Sequence, residues 1–126
     1  MEKAATTTAT VITDLGKTKI LKAHAGLADL PAILQIAYGD GATAAPSATD
    51  PALQHELLRK DITSVEKIST TCFRYRCELG VDELADQTIN ETALVDADGD
   101  LVVIRRTPDK AKGGDETFVF EMDEML

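Results

Sequence analysis

The feature that most restricts this chain is a turn. Ala97-Asp98-Gly99 separates two β-branched runs, TINETALVD (88–96) and DLVVIRR (100–106). An Asp-Gly pair between such runs is the strongest short-range hairpin signal, because it supplies the positive φ that a tight, right-twisted hairpin needs. The C-terminal half is therefore expected to be antiparallel sheet. TTCFRYRCEL (70–79) supports this by alternating: Phe73, Tyr75, Cys77 and Leu79 lie on one face, Arg74, Arg76 and Glu78 on the other. DITSVEKIS (61–69) reads as its neighbour, GVDELADQ (80–87) as an acidic connector, and ETFVFEMDEM (116–125) as a last strand with Phe118, Phe120 and Met122 together. Pro108 is expected to end the preceding strand, and KAKGGD to form a loose turn.

The N-terminal half reads differently. Residues 3–10 are small and Thr-rich, a flexible tail or an edge strand. A helix is expected from about Thr13 to Ala25, with Thr13 or Asp14 as N-cap and Gly26 as stop. Gly16 weakens it, and Lys17, Lys19 and Lys22 read as a solvated face. AILQIAY (32–38) is a short buried strand ended by Gly39-Asp40-Gly41, whose glycines are expected to allow positive φ. An Ala/Ser/Thr/Pro loop follows. Asp50-Pro51 then has the form of N-cap and first helical residue, which predicts a second helix through LQHELLRK to about Lys60. The predicted fold is α+β: two short helices in the N-terminal half, packed with a mainly antiparallel sheet, all in one domain over residues 1–126.

Composition narrows the function. The 126 residues carry a net charge of −9, split as +1 over residues 1–76 and −10 over residues 77–126. Duplex binding needs many cations facing phosphate, and anionic lipid surfaces repel this sign, so nucleic acid and membrane are not expected partners. Neither an apolar run of signal-peptide type nor one of membrane-helix length is present, which points to the cytoplasm or an assembly built there. Charge asymmetry of this kind either steers assembly between unlike patches or forms a solubilising face.

No catalytic constellation emerges. His24 is near a helix end, His55 has no HExxH partner, and Cys72 and Cys77 lie on opposite faces of one strand without a CxxC partner, as structural thiols do. Asp96, Asp98 and Asp100 are the weak metal candidates, and they motivate an alternative reading as a cytoplasmic small-molecule or cation-binding module. The calcium-loop spacing fails, because the glycine is fourth rather than sixth and Thr107 stands where the twelfth-position acid belongs. Gly39, Asp40, Gly41, Asp98 and Gly99 are thus read as structural turns. Arg74, Arg76, Arg105 and Arg106 either pair with acids across strands or contact a partner.

Four motifs occur in a telling order. They are TDLGKTKILKAHAG, with Thr13, Gly16, Ile20 and Ala23; IAYGDG (36–41); TDPALQHELLR (49–59), with Thr49, Leu53, Glu56 and Arg59; and INETALVDADGDLVVI (89–104). Together they resemble the N-terminal domain of phage tail-collar fibre proteins, which attaches a tail fibre to a contractile-tail baseplate. The resemblance implies a structural protein of a phage or prophage tail with no active site and no cofactor. It implies a homo-oligomer, a trimer by the family's habit, that contacts a baseplate protein and a separate fibre chain. The corresponding location is the virion tail, assembled in the bacterial host cytoplasm.

Overall fold

A computed structural model describes residues 8–126. Its elements are β1 (Ala9–Ile12), α1 (Asp14–His24), β2 (Ile33–Gly39), β3 (Glu56–Asp61), β4 (Ser64–Ser69), β5 (Cys72–Leu79), β6 (Gln87–Asp96), β7 (Leu101–Lys112) and β8 (Phe118–Met125). The expected α+β fold with two helices is overturned. The described residues hold one helix among eight strands, and both sheets are antiparallel. One sheet has the order β1-β7-β6-β2-β3, the other β4-β5-β8. Among the described residues no helix is long and apolar enough to cross a membrane.

The missing helix is the one predicted over Asp50–Lys60. Residues 50–55 form a crossing loop, and β3 then pairs with β2 from Glu56 to Asp61. The backbone N–H groups of Gln54 and His55, which a helix would have used internally, instead reach the Glu91 carboxylate at 2.9 Å each. Leu53 is buried against Ala93, Val95 and Ile104. Propensity over ELLRK is a weak prior, and a buried carboxylate together with an unpaired β2 edge outweighs it.

The first helix forms as expected. Thr13 is its N-cap, with Oγ1 accepting from Gly16 N at 3.0 Å and donating to Leu101 O at 2.8 Å. Gly16, expected only to weaken the helix, is its one buried residue. A Cβ there would stand 3.1 Å from both Val102 Cβ and Val102 O, so the missing side chain lets α1 lie on β7.

Two apolar layers hold the sheets. One face of the five-stranded sheet gives Ile36, Tyr38, Leu94 and Val103 to a core shared with Cys77, Leu79 and Met122, and Phe118 and Phe120 pack onto it. Tyr38 and Phe120 meet edge to face at 4.9 Å. Ala37, Ala93, Val95, Leu101 and Ile104 point to the other face, which Leu53 of the crossing loop covers. Both cysteines are buried and unpaired, and burial pushes both thiols up. β7 does not stop at Pro108 but runs to Lys112. The β6–β7 register shifts between Ile89 and Glu91, so Pro108 sits in an irregular stretch where no ladder N–H is needed. Of residues 3–10, the last two belong to β1, an edge strand. The segment before Thr8 lies outside the described residues.

Candidate functional site

The Asp96–Asp100 turn is the natural place to look for ligand chemistry, and it already holds a cation. The turn closes as a tight hairpin: Gly99 N donates to Asp96 O at 2.9 Å, and Gly99 has φ +84. Asp96 Oδ1 accepts from the backbone N–H groups of Asp98 and Asp100, at 3.0 and 3.1 Å. The three carboxylates thereby turn inward, with one oxygen from each within 4.8 Å of the others. Lys19 Nζ stands among them, at 2.6 Å from Asp96, 3.1 Å from Asp98 and 2.7 Å from Asp100.

An ammonium has three donors, and here each finds one carboxylate. Burial works against the charge of Lys19, but the bonds to Asp100, Asp96 and Asp98 outweigh it and raise the lysine above its usual range. Lys19 was expected on a solvated face. It lies three residues beyond Gly16, so the close approach of helix and strand at Gly16 brings its long side chain over the turn.

The second cluster surrounds Gly39-Asp40-Gly41. Neither glycine there has positive φ, contrary to expectation. Both are needed for space: a Cβ on Gly39 would meet His55 O at 2.5 Å, and one on Gly41 would meet His55 N at 2.7 Å. Glu91 is the organiser. Fully buried, it accepts from the N–H of Gly41 (3.1 Å), Gln54 and His55, and Arg106 Nε lies 3.8 Å away. Asn90 completes the arrangement by accepting from Ala42 N at 3.0 Å and donating to Asp40 O at 3.1 Å. The His55 ring pairs with Asp40. Sequence reading passed over Glu91, although a signal existed. In INETALVD it shares parity with Ala93 and Val95, and an acid on an apolar strand face implies a dedicated partner.

The four arginines divide. Arg106 is buried, and its guanidinium reaches Ala44 O, Ala45 O and Asp50 (3.3 Å) from the loop that crosses the sheet. Arg74 holds Asp123 through two bonds (2.8 and 3.2 Å), which keeps that carboxyl below its ordinary range. Arg76 pairs with Glu121, and Arg105 donates to Glu121 O at 3.2 Å. His24 ends α1 and stands apart from both clusters.

The molecule is thus a β-scaffold whose Asp96–Asp100 turn already holds its own cation. The family model for the phage tail-collar fibre protein N-terminal domain matches residues 4–117, and the chain belongs to that family. It is accordingly a phage tail fibre protein in the structural sense. No match is found among curated proteins or among solved structures.

Proposed function

We propose that this chain, acting as one unit over its whole length, attaches a tail fibre to the baseplate of a phage or prophage tail through protein–protein contacts. One observation carries the reading: the family match extends over residues 4–117, and the residues it spans include every turn described above. The chain works as a homo-oligomer, a trimer by the family's habit, that meets a baseplate protein on one side and a separate fibre chain on the other. It assembles in the host cytoplasm, ends in the virion tail, and performs no catalysis. Lys19 in the centre of Asp96, Asp98 and Asp100 favours this scaffold over a cation-binding module, since the carboxylates already have a counter-ion. Arg74, Arg76 and Arg105 serve the interface indirectly, by fixing β8.

The test is sedimentation equilibrium of the chain alone and mixed with baseplate proteins encoded beside it. Oligomerisation together with a stable baseplate complex is expected. A strict monomer at high concentration that binds no baseplate protein overturns the proposal.

A further inference from the structure

The two sheets are one barrel left open along one side. Ile62 N donates to Leu34 O (3.0 Å), continuing the β2–β3 ladder, while Thr63 N donates to Arg76 O (2.8 Å), beginning the β4–β5 ladder. β3 and β4 are therefore one bent strand that changes sheets at Ile62–Thr63. Counted once, it gives seven strand positions around the molecule, joined by six pairings that are all antiparallel. Six reversals bring β8 back parallel to β1. One strand antiparallel to both would close an eight-stranded barrel, a size whose interior side chains can fill.

The opening between β1 and β8 has room and unused backbone. A groove of about 670 Å³ lies there, between Thr10 and Ile12 on β1, Val103 and Arg105 on β7, and Met122 and Asp123 on β8. Thr13 N donates to Val102 O, so alternation along the β1–β7 ladder turns the backbone groups of Thr10 and Ile12 away from β7, toward the groove. Thr63 claims Arg76 O on the β4 side, so the opposed Arg76–Glu121 pair makes no ladder bonds. The backbone groups of Glu121 point into the groove, where Arg105 takes the carbonyl at 3.2 Å.

We propose that this opening accepts one extended strand from another polypeptide, running antiparallel to both β1 and β8. This deepens the attachment reading and rests on it for the identity of the donor. Every strand among the described residues already has a place in the ring, and the attachment reading supplies the donor as a free segment of a partner protein. Its inward side chains are uncharged. The charged side chains that line the groove, Arg74, Arg105, Glu121 and Asp123, sum to zero, with Arg74 bonded to Asp123, so the groove presents no net charge to be answered. β4 has a free edge as well, but Glu66 and Lys67 guard it with alternating charge.

The experiment uses a fluorescein-labelled peptide, Thr-Val-Thr-Val-Thr-Val-Thr-amide, with the full chain. Saturable anisotropy is expected, with slowed amide exchange at Thr10, Ile12, Glu121 and Asp123. Alternate N-methylation of the peptide should weaken binding roughly tenfold or more, since strand addition depends on main-chain bonds. The variant Thr10→Pro, which removes an N–H that β7 does not use, should do the same while the protein stays folded. The N-methylated peptide keeps the test decisive if that variant unfolds. No saturable binding, protection confined to β4, or indifference to N-methylation overturns the proposal. So does self-association of the chain that disappears when residues 1–7 are deleted, because the donor is then a second copy. Peptide binding by a chain that ignores all baseplate proteins would remove the attachment reading and leave strand acceptance standing.

Discussion

Replacing Lys19 by Met keeps most of the side-chain volume on α1 and removes the ammonium from among Asp96, Asp98 and Asp100. Asp96 is the costly partner, since its side chain is 1% exposed, whereas Asp98 and Asp100 are 60% and 42% exposed. A charge-assisted hydrogen bond to a buried group contributes about 1.5–3 kcal/mol, and an exposed pair about 0.2–1 kcal/mol. The variant should therefore lose about 2–3 kcal/mol at pH 7, or roughly 10 °C in Tm for a chain of this size. Lys19 is raised above its ordinary value of 10.5 by its bonds to the three carboxylates, so its contribution is complete below that value and the loss in the variant is full at pH 7.

The same change converts the turn into a vacant oxygen site for a hard cation. Calcium should then stabilise the variant, by about 2.7 kcal/mol at one hundred times its dissociation constant, and leave the parent unmoved. Urea unfolding of both proteins at pH 7, with calcium or with a chelator, reads all of this. A variant within about 0.5 kcal/mol of the parent at pH 7, or a parent stabilised by calcium as much as the variant, refutes the reasoning.

Other expectations concern the frame. Glu91→Ala strands three backbone donors and leaves Arg106 facing no carboxylate on the sheet, so urea unfolding should register a loss of about 3–5 kcal/mol, with Glu91→Gln losing less. Gly39→Ala drives a methyl group toward His55 O and Glu91, and calorimetry should show a loss of about 1–3 kcal/mol. Arg74 and the Lys60 ammonium hold Asp123 and Glu83, respectively, below their ordinary ranges. Their contribution is complete above the unfolded values of 3.8 and 4.5 and is lost as pH falls through the depressed ones. Thermal melts from pH 6 to pH 2 should accordingly show stability falling toward acid, less steeply in an Asp123→Asn, Glu83→Gln double variant.

Much of the sheet was legible because its signals are local. Alternation in CFRYRCEL, the Asp98-Gly99 turn and the Phe118, Phe120, Met122 stripe each follow from a period of two. The helix cap at Thr13 was legible for the same reason. What escaped was set by groups distant in sequence. Asp50-Pro51 carries a sound helix-start signature, yet the donors of Gln54 and His55 are claimed by Glu91, 37 and 36 residues away. Gly39 and Gly41 were expected to bend the chain through positive φ, whereas the approach of residue 55 is what excludes a side chain. Lys19 looked solvated because its three partners lie 77 to 81 residues downstream.

A hairpin that brings its own positive charge owes nothing to the ionic content of the surrounding medium. Many acidic loops slacken when chelators strip them. This one should hold the same shape in millimolar calcium or in none, so a particle built in one solution and released into another would carry this corner across unchanged.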